Sequence, residues 1–270
     1  MPVEEFFPGV SLVTGAAGGI GAATALAFAE AGCTEIALTD RDAAGLQRTA
    51  DEIVRRQRHS KVKVLVRDGD ISLESFVDSF VAEVVQQFHR VDYVVYCAGI
   101  IGSSSDTINI TTDEFDTVNG VNYRGCWLLS RAVLKVMVKQ EPPPGHASDR
   151  RPQRGSIVNV ASQLALVGRR HAPAYVSSKA AVVALTRANA IDYATRGVRV
   201  NCVCPGLIDT QMTNANAEIQ EIVKGQVAAT PIERMGKVAE VADCILFLSS
   251  TKASFVVGHA MVVDGGYVIV

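Results

Sequence analysis

A chain of 270 residues, 48% of them hydrophobic, can bury a sizeable core and fits a single domain over 1–270 better than two small ones. A net charge of −2 and an aromatic content of 6% supply no basic field, which excludes nucleic acid as a partner. Six scattered cysteines (Cys33, Cys97, Cys126, Cys202, Cys204, Cys244), with no CxxC pair and no histidine cluster, predict reduced thiols in a cytoplasmic protein without a metal centre.

In chain order, the first feature is an uncharged run over 6–29, long enough to imitate a membrane span. It holds Pro8, Thr14 and glycines 9, 15, 18, 19 and 21, too much turn chemistry for a lipid-facing helix. Glu4 and Glu5 stand where a signal peptide is basic. A buried strand, a tight turn and a buried helix are predicted instead, with no membrane attachment. Strands are predicted over 10–14, 35–40, 62–66, 93–96, 156–160, 198–203 and 261–263. Each is almost continuously apolar, as for parallel strands covered on both faces. Ile20, Ala23, Ala27, Phe28 and Ala31 form the helical stripe between the first two. The repeating strand–helix order predicts an α/β fold, a doubly wound parallel sheet with helices on both faces. Residues 139–154, with four prolines and four cations, break this rhythm. They are read as an exposed surface insertion rather than a partner-binding arm.

The first strand runs into Thr14-Gly15-Ala16-Ala17-Gly18-Gly19-Ile20-Gly21, which opens the helix. Such glycines allow a tight turn and let a pyrophosphate approach the free N–H groups of a helix N-terminus. A plain tight turn shares the pattern, but the position between strand and helix favours the phosphate. Asp40 ends the second strand, where a carboxylate accepts adenosine ribose hydroxyls and repels a 2′-phosphate. Capping of the next helix by Asp40 and Asp42 is the plainer alternative. Arg41 is able to hold such a phosphate, yet the glycine turn contains no Arg or Lys, so NAD is favoured over NADP. Tyr175 and Lys179, four residues apart, share one helix face. A phenol titrates at about pH 10 in water, and a neighbouring ammonium favours phenolate and lowers that value. Ser162, just past a predicted strand, either bonds a substrate oxygen or forms a turn.

Together these residues resemble the single-domain short-chain dehydrogenases/reductases over 8–266, interrupted mainly by the proline-rich insert. The matching pieces are the TGxxxGxG turn, Asp70-Ile71, Asn122 in a helix, Ser162, Tyr175, Lys179, Pro205-Gly206 and Val263-Asp264-Gly265-Gly266. The resemblance implies a Rossmann-type fold of seven or so strands and hydride transfer between NAD and a secondary alcohol or ketone, in the oxidative direction. It implies Tyr175 as general acid/base, with Lys179 lowering its pKa and holding the nicotinamide ribose. Ser162 polarises the substrate oxygen, and Asn122 binds a water that completes a proton relay. The implied cofactor contacts are Gly15, Gly19, Ile20, Gly21, Asp40, Arg41, Asp70, Ile71, Ala98, Gly99, Pro205, Gly206, Ile208 and Thr210, besides Tyr175 and Lys179. One departure stands out: the family has Asn-Asn-Ala-Gly after the fourth strand, and here it is Tyr96-Cys97-Ala98-Gly99. Loss of both asparagines predicts a less rigid strand end, with no proton-transfer group removed.

The resemblance also implies a substrate lid over 211–235, whose Met212, Asn214, Asn216, Ile219 and Val223 are mixed in character. Gln163, Leu164, His171 and Met212 are the expected substrate neighbours. With Leu166 and Pro173 they predict a medium-to-large, mostly hydrophobic small-molecule substrate such as a terpenoid, steroid-like or polyketide alcohol. An NADPH-dependent ketoreductase, a catalytically silent dinucleotide sensor and a methyltransferase are the alternatives. Only the first explains the set Asn122, Ser162, Tyr175 and Lys179 as well as the dehydrogenase does. Small residues Ala180, Val183, Ala184 and Ala188 and the apolar tail 267–270 imply, through the resemblance, a homotetramer, with a dimer as runner-up.

Overall fold

The computed structural model describes residues 7–57, 62–143, 153–214 and 217–270, the side chains of 217–219 excepted. Seven strands form one wholly parallel sheet in the order β3-β2-β1-β4-β5-β6-β7. They are β1 Val10–Thr14, β2 Glu35–Asp40, β3 Lys63–Asp68, β4 Tyr93–Tyr96, β5 Gly155–Val160, β6 Val198–Pro205 and β7 Ala260–Val263. β3 runs two residues past the expected 66. Its polar Arg67 and Asp68 still pair with Thr39 and Asp40 of β2, and on an edge strand such residues face water at little cost.

Successive side chains of a strand point to opposite faces, and two cores follow from that. On one face Val10, Leu12, Val94, Tyr96, Val200 and Cys202 pack with α3 (Glu74–Phe88), α5 (Gly125–Met137) and α6 (Pro173–Tyr193). On the other, Val13, Tyr93, Val95, Val158 and Val203 pack with α1 (Gly19–Glu30), α2 (Ala43–Arg56) and α8 (Val238–Ser249). The expected stripe on α1 needs correction. Gly21, Thr24, Ala25, Phe28 and Ala29 are buried, whereas Ile20, Ala23, Ala27 and Ala31 are half-buried. The helix packs against both the sheet and α8, so it has no polar face from which a stripe could be read. The remaining helices are α4 (Thr112–Asn119), which runs into a π-turn at Gly120–Arg124 before α5, and α7 (Ala217–Ala228). Among the described residues no helix is long and apolar enough to cross a membrane.

The described flanks of the proline-rich insert leave the sheet at the N-terminal edges of β4 and β5. Gln140 donates there to the Val91 carbonyl (2.8 Å) and the Arg154 carbonyl (2.6 Å). Residues 144–152 lie outside the described residues. All six cysteines are free thiols. Burial pushes Cys33 up to about 11 and Cys97 and Cys126 up to about 12, so these behave as small hydrophobes at neutral pH.

Candidate active site

Strand order reverses between β1 and β4, and an open parallel sheet binds ligands in the crevice at the C-terminal ends of such strands. Two adjoining cavities occupy it, about 360 Å³ over the glycine turn and about 330 Å³ beside Tyr175. Gly15 and Gly19 have φ of 66° and 54°, where glycine is favoured. A Cβ on Gly15 would lie 2.8 Å from the Ala98 nitrogen, and one on Gly21 would strike the Gly15 carbonyl, whereas Gly18 faces open space. The turn is thus packed tightly against β4 and α1 but open toward the cavity. This leaves room at a helix N-terminus for a pyrophosphate.

Asp40 stands on the wall of the same cavity. Its two oxygens accept from the backbone N–H groups of Ala17 (3.0 Å) and Asp42 (3.1 Å). A carboxylate offers about four lone-pair sites, so about two remain for ribose hydroxyls. Asp42 alone caps α2, accepting from the Gly45 N–H. The exposed Arg41 and residues Asp70, Ile71, Ala98, Gly99 and Thr210 line the cavity too. Burial pushes the Asp70 carboxyl up, but hydrogen bonds from Ser72 and the Arg41 charge outweigh it and hold Asp70 below its usual range. The residues present fit a dinucleotide.

The β4 end, where both asparagines are missing, is held by other groups. Thr14 Oγ1 accepts from the N–H groups of Cys97 (3.1 Å) and Ala98 (3.2 Å), tying β4 to β1. The Tyr96 hydroxyl donates to the Val121 carbonyl inside the π-turn, and Gly125 leaves the room it needs. Phenol and threonine do the bracing in place of the two asparagines.

That π-turn aims Asn122. Wholly buried, its amide accepts from the Ile100 N–H (2.8 Å) and donates to the Ile100 carbonyl (2.9 Å) and Ser178 Oγ (3.0 Å). Both of its donors are spent on protein, so the side chain holds the Ile100 segment against α6, while its oxygen keeps a second lone pair that a water can use. Ser162 stands two residues past β5, and its Oγ accepts from the Leu164 N–H at 3.1 Å, so it does form the turn; it also lines the same cavity as Tyr175 and helps to hold the phenol's pKa down. Pro173 starts α6, where its missing N–H costs nothing, and the helix then presents Tyr175 and Lys179 to the crevice. Lys179 donates to the Val160 carbonyl at 2.8 Å and sits 5.8 Å from the Tyr175 ring centre. Burial pulls it down to about 8. Burial also pushes the Tyr175 phenol above its ordinary value. Ser162 and the Arg169 charge draw it part of the way back.

Residues 15–268 match the family described as Enoyl-(Acyl carrier protein) reductase. The chain is 37% identical over 262 residues to short-chain dehydrogenase fogB of Aspergillus ruber, covering 96% of each chain. It is 38% identical over 261 residues to 2-(R)-hydroxypropyl-CoM dehydrogenase of Xanthobacter autotrophicus, covering 96% of this chain and 98% of that one. The chain belongs to the short-chain dehydrogenase/reductase family. The solved structure of levodione reductase has the same fold, with TM-score 0.87 and 31% identity over 97% of this chain and 98% of that one. As a member, the protein is an oxidoreductase acting on CH–OH groups with a nicotinamide dinucleotide.

Within this family fold the cavity beside Tyr175 gathers Ser162, Gln163, Leu164, Lys179, Pro205, Gly206, Ile208, Thr210 and Met212. It does not gather His171, which is exposed, stands outside the lining and has φ of 57°. The loop that carries it turns away to let Pro173 start α6. Of the lid residues, Met212 and Val223 line the cavity. Asn214 instead donates to Asp209 at 2.8 Å. Asn216 and the Ile219 side chain lie outside the described residues. Sequence reasoning missed Arg169, Ser103, Ser104 and Gln226, which also line the cavity. A run Arg169-Arg170 reads as a solvated face, and nothing local shows that only the first turns inward.

Proposed function

We propose that the protein is an NAD-dependent oxidoreductase that interconverts a secondary alcohol and a ketone on a medium-to-large, mostly hydrophobic substrate, in the oxidative direction. What carries the reading is the convergence of Ser162, Tyr175 and Lys179 on one mainly apolar cavity that adjoins the Asp40 crevice. A dinucleotide held by the glycine turn and Asp40 would supply the acceptor of the carbinol hydride, or its donor in the reverse direction. Ser162 bonds the substrate oxygen, and Tyr175 Oη takes the hydroxyl proton as phenolate or gives it back as phenol. Lys179 has two donors beyond its bond to Val160, and they serve the nicotinamide ribose. Asn122 keeps the Ile100 segment and α6 in register and offers its remaining oxygen lone pair to a water that completes a proton relay with Lys179.

Asp40 supports NAD, since its free lone pairs suit ribose hydroxyls and its charge repels a 2′-phosphate. The exposed Arg41 favours a second reading, an NADPH-dependent ketoreductase. So does 34% identity, over 96% of this chain and 98% of the relative, to 3-oxoacyl-[acyl-carrier-protein] reductase FabG of Thermotoga maritima. A silent sensor makes no use of the Ser162–Tyr175 pair. The protein works as a cytoplasmic homotetramer in this reading. Initial rates on a panel of secondary alcohols with NAD and with NADP test it. NAD-linked oxidation is expected, and NADP-linked activity alone would replace it with the second reading.

A further inference from the structure

The cavity beside Tyr175 carries a cation that the proposed chemistry does not use. Among the described residues its walls contain no Asp or Glu, and two cations, Lys179 and Arg169. Lys179 has the Val160 carbonyl as partner. Arg169 is half-buried and has no hydrogen bond or ion pair to any described residue. Its neighbour Arg170 is exposed and stands outside the lining. A guanidinium presents five donors in a planar fork whose best partner is a carboxylate, sulfonate or phosphate bound through two of them. Around it the cavity is otherwise fit for an apolar body, with Leu164, Met212, Ile222 and Val223 on its walls.

We propose that Arg169 anchors an anionic group on the substrate, so that the compound turned over is a secondary alcohol or ketone with an apolar body and a carboxylate, sulfonate or phosphate. This rests on the reading of the cavity as the substrate site. The placement of the two groups agrees with it, since Arg169 and Tyr175 line the same cavity. An anion held by Arg169 therefore lies near the reacting oxygen rather than at a remote surface.

Calorimetric titration of the full chain with NAD present, using hexanoate, hexanesulfonate and hexanamide, tests the proposal without requiring turnover. The wild type is expected to bind at least one of the two anions about tenfold more tightly than the amide, with the margin shrinking as salt rises. Whichever anion binds better identifies the headgroup. Arg169→Gln removes the margin and Arg169→Lys, which keeps the charge but loses the fork, retains part of it. Equal binding of all three probes by the wild type overturns the proposal, and so does a margin that survives in Arg169→Gln. If Arg169→Gln does not fold, loss of fork geometry in Arg169→Lys decides, and an undiminished margin there overturns the bidentate anchor. Turnover is scored separately. An active alcohol dehydrogenase indifferent to charge defeats the anion site alone, whereas an Arg169-dependent margin in a protein that oxidises no alcohol defeats the dehydrogenase reading alone.

Discussion

At Lys179 the fold carries an ammonium almost wholly removed from water, with the Val160 carbonyl as its one hydrogen-bond partner among the described residues. Its pKa falls from 10.5 to about 8 because burial disfavours the charge. Between these values the unfolded chain binds more protons than the native one, so stability rises as pH climbs from about 8 toward 10.5. Below about 8 the cost of the buried charge is carried in full, up to about 3 kcal/mol. Lys179→Met is therefore expected to raise the melting temperature at pH 7 and to lose turnover. A lower melting temperature would show that the Val160 bond outweighs the desolvation. Asp40 makes the second residue-scale prediction. Asp40→Ala is expected to erode the NAD-over-NADP ratio in kcat/KM by about tenfold or more, mainly by relieving repulsion of the phosphate. An unchanged ratio would move cofactor choice to Arg41.

Between β4 and α5 the chain substitutes one kind of brace for another. Tyr96→Phe leaves the Val121 carbonyl without its hydroxyl donor inside the π-turn that aims Asn122. A stability loss of about 1–2 kcal/mol is expected, with a fall in turnover larger than the fall in cofactor affinity. Chemical denaturation read beside kinetics checks it, and full activity would show that Asn122 holds its place without the phenol. The same region marks the limit of what the sequence discloses. All seven strands are legible within two residues, because continuous apolar runs bounded by turn residues are a local signal. The brace is not local: Thr14 reaches Cys97, 83 residues away, and Tyr96 reaches Val121, 25 residues away. The π-turn is equally hidden, since helical periodicity runs through 112–137 without a break. Ser162, Tyr175 and Lys179 were legible as spacing. That Arg169 joins them in one cavity was not legible.

Over the whole molecule, several large apolar side chains stand in water. Phe255 is fully exposed, and Ile191, Ile269 and Val270 are each about four-fifths exposed. Gly258 packs against Ala190, with a Cβ there falling 3.3 Å from the alanine methyl, so the Phe255 loop adjoins the end of α6. Ala184 and Ala188 are exposed on that helix, whereas Val183 is buried in the subunit's own core, against expectation. The tail is half retained: the Val268 N–H donates to Asp264 at 2.9 Å, and only Ile269 and Val270 project. Exposed apolar patches of this kind mark association. Light scattering is expected to give about four times the 28.7 kDa chain mass. A monomer at micromolar concentration would contradict this, and deleting residues 267–270 shows whether the tail or α6 carries it.

The assembly matters to chemistry only if the site works as proposed, and Tyr175 is where that is decided. Tyr175→Phe removes one oxygen from the cavity and leaves the glycine turn, Asp40 and Lys179 in place. The measurement is steady-state oxidation of the best secondary alcohol by wild type and variant across pH, paired with NAD affinity by fluorescence. The wild-type rate is expected to climb with pH along a basic limb, because burial holds the phenol above its ordinary value. The variant is expected to lose turnover by about a thousandfold or more, with NAD affinity within a few fold. Turnover within about tenfold of wild type, with the same pH limb, would contradict the assignment of the proton to Tyr175.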